Sequence, residues 1–372
     1  MNRPWATWLS LLLTSSCIQP RGFEDSGGSG AGSGNSNAGQ AGASSAPSGA
    51  GFGADPQAGS AADAGDCFPG VDGKVPDGCV VGASLAAGDD FNCGLLAAGG
   101  VYCWGNDSDG QRTDAPESGN FISIAAGSRH ACVLRVDHTL HCWGNNSQLQ
   151  APMEPPATYG RFQSIACGDD YTCGVHLDGT PLCFGNPADG KLDAPNDKYL
   201  MIATGSVAAC GLRSSNRRVV CWGDDTWGIV SSAPGGVFVT VAVGPEHACA
   251  IASDRQMVCW GNGSPGGGDG SGATRTDVRP GSYLAVSAGA VHTAALTVGD
   301  HFACFGDASA ARQCGSLSSA ENFGGWYQVA AGRGHTCILG DPEGNEAIGT
   351  VECFGLDRGS AIPFGKVFKS GR

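Results

Sequence analysis

Charge and helical periodicity are what this chain has least of. Charged residues make up 15% of it, and acidic side chains outnumber basic ones to give a formal net charge of −14. No basic run occurs, which sets nucleic acid aside as a partner, because phosphate backbones are gripped by Lys and Arg. No apolar run reaches the roughly 20 residues of a membrane-spanning helix. Past residue 80 no stretch repeats its apolar residues with a helical period. There is no Cys-x-x-Cys pair, although cysteines number 18. There is also no Gly-x-Ser-x-Gly elbow, phosphate-binding loop or His-Glu-x-x-His. These absences argue against a zinc ribbon, a serine hydrolase of the elbow type, a nucleotide hydrolase and a zincin.

What is present divides the chain into four parts. Residues 1–16 carry a short positive start at Arg3, an apolar stretch from Trp5 to Leu13, and the small residues Thr14-Ser15-Ser16. This is the pattern of an export signal. Cys17 follows directly, as in a bacterial lipoprotein signal, so Cys17 is the expected lipidation site. Residues 17–66 are mostly Gly, Ala and Ser and cannot bury a core. They read as a disordered tether, with a reach of about 35–40 Å as a random coil. Residues 67–79 form a loop bracketed by Cys67 and Cys79, expected to pair. Residues 80–372 carry the repeats.

One phrase recurs seven times. A short strand of small and branched residues ends at Gly88, Gly127, Gly168, Gly205, Gly244, Gly289 and Gly332, at spacings of 37 to 45. A hairpin follows each, as in HACVLRVDHTLHCWG at 130–144. Such a period marks a solenoid, a propeller or an array. Residues 365–371 look like an eighth copy of the first strand, which would let the last segment complete the first sheet. A closed ring leaves no open sheet edge at its ends. The fold expected is therefore all-β, a seven-bladed β-propeller, present as a monomer.

The cysteines fit this reading. Six repeats hold a pair flanking the hairpin turn: Cys93 and Cys103, Cys132 and Cys142, Cys173 and Cys183, Cys210 and Cys221, Cys249 and Cys259, Cys337 and Cys353. Residues facing each other across a non-hydrogen-bonded strand pair lie within disulfide reach. Each staple is worth about 2–4 kcal/mol, and together they imply an oxidising compartment. The sixth repeat has Ala294 opposite Cys304, which leaves Cys314 as a candidate partner, and Cys167 has no evident mate.

The phrase Cys-Trp-Gly-Asn-Asp-Ser-Asp-Gly-Gln at 103–111, with Gly-x-x-His at 127–130, 244–247, 289–292 and 332–335, resembles the regulator of chromosome condensation repeat. The resemblance covers about residues 80–372 and implies a seven-bladed propeller. That family hosts nucleotide exchange on a small GTPase, chromatin docking, photoreception and inhibition of β-lactamases. Fold likeness alone carries none of these over.

Candidate sites follow from the repeats. His130, His247, His292 and His335 stand at one equivalent place. Neighbouring blades hold such positions on the order of 10 Å apart, too far for shared zinc ligation, so each imidazole is expected to hydrogen-bond within its own blade. No metal, cofactor or catalytic residue is assigned. The repeats differ most just after each strand-ending Gly, and those positions should share one face of the ring. The expected partner-binding set is Asp89, Asp90, Phe91, Ser128, Arg129, Asp169, Asp170, Tyr171, Pro245, Glu246 and Arg333, with the unrepeated Trp227. The function expected is a non-enzymatic cell-envelope or secreted binding module for a protein or glycan, on an outer-membrane or cell-surface lipoprotein or a secreted chain. The alternatives are a propeller lyase or hydrolase, and an inhibitor of a secreted enzyme such as a β-lactamase.

Overall fold

The structure is a computed structural model that describes residues 85–96, 100–153, 155–262, 277–279, 281–299, 301–306, 326–340 and 350–355. The export signal, Cys17, the tether, the Cys67–Cys79 loop, Cys314 and the strand copy at 365–371 lie outside these residues. Seven antiparallel sheets are present, each with its strands in sequence order. Blade 1 is β1 (Leu85–Ala87), β2 (Phe91–Leu95) and β3 (Val101–Gly105). Blade 2 is β4 (Phe121–Ala126), β5 (His130–Arg135) and β6 (Leu140–Gly144). Blade 3 is β7 (Phe162–Cys167), β8 (Tyr171–His176) and β9 (Pro181–Gly185). Blade 4 is β10 (Tyr199–Thr204), β11 (Ala208–Arg213) and β12 (Val219–Gly223). Blade 5 is β13 (Phe238–Val243), β14 (His247–Ala252) and β15 (Met257–Gly261), with β16 (Asp277–Arg279) added at its edge. Blade 6 is β17 (Tyr283–Ala288), β18 (His292–Thr297) and β19 (Phe302–Gly306). Blade 7 is β20 (Trp326–Ala331), β21 (His335–Gly340) and β22 (Thr350–Gly355).

The first strand of every blade touches the first strands of both neighbours, including β20 against β1. The ring is thus closed, and these strands form its inner layer. Their ends are buried on both faces, so the strict in-out alternation of a half-exposed sheet is lost. A one-residue bulge near the start of β4, β7, β10, β13, β17 and β20 shifts the register. The residue before each bulge is aromatic, and Phe162, Tyr199, Phe238, Tyr283 and Trp326 are buried there.

No blade owns a core. Each of the seven apolar clusters joins residues of two adjacent blades. Trp143 of blade 2, for example, packs with Phe91, Val101 and Ala115 of the first repeat. Its Nε1 donates to Gln111 O at 2.8 Å, and Trp222 and Trp260 donate to Lys191 O and Ile229 O of the preceding repeats. The seam between blades 7 and 1 is built likewise, from Leu85, Ala87 and Trp104 against Ala330, Cys337, Leu339 and Val351.

The six expected disulfides are present, each between directly opposed residues. Their Cα atoms lie 4.0–4.1 Å apart. Ala294 faces Cys304, as expected. Cys304 is itself disulfide-bonded, to a partner outside the described residues.

The four histidines correct the sequence reading. They bond to the next blade, not to their own. His130 Nε2 meets Thr172 Oγ1 at 2.9 Å, His247 meets Thr293 at 3.0 Å and His292 meets Thr336 at 2.7 Å. His335 Nε2 meets Asn92 Oδ1 at 2.7 Å, across the closing seam. Thr172 passes its own proton to Gln150 O, so His130 must donate from Nε2. The ring lies against the strand-ending glycine: a Cβ on Gly127 would sit 2.4 Å from the imidazole. Burial holds His130 and His247 at about 3 and His335 at about 4, against an ordinary 6.5. A lowered folded-state pKa means that the unfolded chain takes up protons first as pH falls. These histidines therefore withdraw stability progressively from about pH 6.5 towards pH 3.

Thr293→Val keeps the shape of that side chain but leaves His247 Nε2 without its partner in the seam. It should cost about 1–3 kcal/mol in urea-unfolding measurements. A loss near zero would show that the bond does not hold blades 5 and 6 together.

Candidate functional site

Two faces emerge from the strand directions. The first-to-second strand connections and the segments after each outer strand share one face, here the loop face. Backbone bonds tie them together: Asn106 N to Asp90 O, Asn145 N to Arg129 O, Asn186 N to Asp170 O and Asn262 N to Glu246 O. The hairpin turns share the other, the turn face, with the entries to the next first strands; Phe162 N bonds to His138 O and Tyr199 N to Gly179 O. The glycine closing each outer strand makes room for the loop face. Gly144 has φ +91°, and a Cβ there would meet Arg129 O at 2.7 Å.

A cavity of about 290 Å³ opens on the loop face across blades 2, 3 and 4. Ser128, Arg129, Asp169 and Asp170 from the expected set line it, together with Lys191 and Ser206. Asp170 anchors its wall. Lys191 Nζ donates to Asp170 Oδ1 at 2.6 Å, and Asn186 Nδ2 donates to Oδ2 at 2.5 Å. The Lys191 side chain is only 4% exposed and lies 5.4 Å from the centre of the Tyr171 ring. Arg129, more than half exposed, reaches Asp109 at 3.6 Å, a pair of little energetic weight in solvent.

Two carboxyls lie deeper. Ser128 donates to Asp89 Oδ2 at 2.8 Å, and Ser206 donates to Asp169 Oδ2 at 2.5 Å. The same bond thus links blade 1 to 2 and blade 3 to 4. Oδ1 of each is buried without a hydrogen-bond partner. Burial, partly offset by the Ser128 bond, raises Asp89 from 3.8 to about 7. Burial and the nearby Asp89 charge raise Asp169 well above the ordinary range.

Several members of the expected set are not available to a partner. Phe91 and Tyr171 are fully buried, because each ring packs on the preceding Gly88 or Gly168. Tyr171 also spends its hydroxyl on Ala208 O. Ser128 and Pro245 are buried, and Trp227 packs against the cluster between blades 4 and 5. Asp90 and Arg129 are exposed, and Glu246 and Arg333 are half-buried on the same face outside the cavity wall. Lys191 and Leu149 were missed by sequence reasoning. Lys191 stands where two other repeats carry the motif-ending Gln111 and Gln150, and that departure was the available signal. Leu149 is 72% exposed at φ +63°, beside the cavity-lining Gln148 and Gln150.

Cys167 is the free thiol among the described residues. Its sulfur lies within 4.8 Å of Cys132 Sγ and a His130 ring nitrogen, but Cys132 is committed to its disulfide. Burial pushes the Cys167 thiol up to about 12, the state of an inert packing cysteine.

The family model of the regulator of chromosome condensation (RCC1) repeat matches residues 83–111, 121–150 and 238–266, which fall in blades 1, 2 and 5. Those blades carry regulator of chromosome condensation repeats. Solved structures agree with the repeat protein's fold. The CRINKLY WD40 ectodomain of the Arabidopsis thaliana receptor kinase ACR4 is 23% identical, with TM-score 0.58, over 74% of this chain and 97% of that one. Human WBSCR16 is 17% identical, with TM-score 0.60, over 70% and 87%. Prp20p from Saccharomyces cerevisiae is 15% identical, with TM-score 0.54, over 67% and 80%. At these identities the likeness establishes the propeller. The disulfides in this repeat protein belong to an oxidising environment. Among the described residues no helix is long and apolar enough to cross a membrane.

Asp89 has a raised folded-state pKa, so its share of stability is complete below about pH 4 and is lost as pH rises through about 7. Asp89→Asn keeps an acceptor for Ser128 and removes that loss. The variant should match the parent near pH 4 and exceed it by roughly 1–4 kcal/mol at pH 8; a pH-independent difference would contradict the burial argument. Ellman's reagent should find Cys167 only after unfolding, and prompt native labelling would show that the thiol is reachable.

Proposed function

We propose that this repeat protein is an exported, non-enzymatic binding module that holds a protein partner on its loop face. The cavity across blades 2 to 4 carries the reading, because the positions where the repeats differ most converge there on a rigid, stapled ring. The expected export signal, lipid on Cys17 and tether fit such a role, holding the ring away from a membrane with its loops free. Among propellers of similar shape are a receptor kinase ectodomain and Prp20p, whose structure was described together with its binding to Gsp1p and histones. An enzymatic reading would rest on the raised carboxyls of Asp89 and Asp169. Each of these carboxyls is instead tied to a serine of the next blade, Ser128 or Ser206, and braces the seam there.

The test is recovery of a partner from envelope extract under non-reducing conditions, with the full chain and with a triple variant Arg129→Ala, Leu149→Ala, Glu246→Ala. All three sites are on the loop face and none is fully buried, so thermal unfolding should be unchanged. The partner should be retained by the parent and lost by the variant. Equal recovery by both would refute the loop face as the binding surface.

A further inference from the structure

The ring sorts its charges by face. On the loop face, acidic residues are in the majority among the described residues: Asp90, Asp107, Asp109, Asp170, Asp189, Asp224, Asp225 and Glu246 face Arg112, Arg129, Lys191 and Arg333. On the turn face the balance reverses, with Arg135, Arg161, Lys198, Arg217, Arg218 and Arg255 against Glu117, Asp137, Asp178, Asp197 and Asp254. The strand directions impose this sorting, because alternate connections fall on opposite faces.

The basic groups on the loop face are largely spent. Lys191 is buried against Asp170, and Arg129 leans on Asp109. Buried acceptor capacity is left over: Asp89, 6% exposed, and Asp169, in the cavity wall, each keep Oδ1 without a hydrogen-bond partner. Asp189 stands exposed at the cavity edge. At about 290 Å³ the cavity is at the small end of ligand pockets, roughly 300–1,000 Å³, a size for one side chain. Leu149 offers an exposed apolar contact beside it.

We propose that the partner surface taken by the loop face is basic, with a lysine or arginine side chain entering the cavity between blades 2 and 4. This deepens the loop-face reading above and rests on it. An acidic face on a rigid ring raises the encounter rate of a basic partner and disfavours acidic ones. The attraction belongs to the face rather than to the net charge of the chain.

The probe is a fluorescein-labelled nona-lysine peptide, followed by anisotropy at low and physiological salt with the full chain. Two triple variants of equal charge change separate the explanations. Asp90→Asn, Asp189→Asn, Asp224→Asn together neutralise the loop face and keep its hydrogen-bond acceptors. Glu117→Gln, Asp137→Asn, Asp254→Asn do the same on the turn face. The loop-face set should weaken binding about tenfold and flatten its salt dependence, whereas the turn-face set should change it less than about twofold. Equal weakening by both sets, or no binding by the parent, would overturn the proposal. Loss of the natural partner by the Arg129, Leu149, Glu246 variant without any preference for the peptide would overturn the basic partner alone and leave the loop-face role standing.

Discussion

The seam between neighbouring blades is what the rest of this structure depends on. A three-stranded sheet cannot bury both of its faces by itself, so every apolar cluster here is shared by two blades. The polar part of the seam follows a simple rule. Where one blade offers a histidine, the next offers Thr172, Thr293, Thr336 or Asn92 as its hydrogen-bond partner. Where the histidine is replaced by Phe91, Tyr171 or Ala208, the facing residue is Ala131, Ala209 or Ala248. A buried hydroxyl without a partner is costly, so the two positions change together. The ring closes by the same rule, with Asn92 answering His335.

The disulfides act on a different level. Each of the six hairpin staples joins two strands of one blade and leaves the seams to packing and hydrogen bonds. Within a blade the staple limits the freedom of the unfolded chain. Between blades the strand-ending glycine admits the imidazole, and the next blade supplies its acceptor. Cys167 lies on the seam between blades 2 and 3, beside His130 and the blade 2 staple, where burial keeps it from reacting.

The same geometry builds the candidate site. Loops after each inner strand are placed by the ring and not by their own sequence, so Arg129, Asp170 and Ser206 meet although they belong to three repeats. Asp170 is held by Lys191 and Asn186 of its own repeat, while Asp89 and Asp169 are tied to serines of the next blade. The outcome is a firm polar wall with exposed Arg129 and Leu149 beside it.

Repeat number, the paired cysteines and the identity of the variable positions were legible in the chain, because each depends on spacing along one strand or hairpin. The fate of those positions was not. Phe91 and Tyr171 look like surface anchors beside charged residues, yet each turns inward, because the glycine three residues earlier leaves a slot of ring size. The histidines look self-contained, yet their partners lie a repeat away in sequence, or at the far end of the ring for His335, and one seam away in space. Burial of Lys191 and the convergence of three loops on one cavity likewise required neighbouring blades in place. Local covalent spacing and strand alternation are written in the sequence. Which side chains face each other across a seam is decided only when the ring closes.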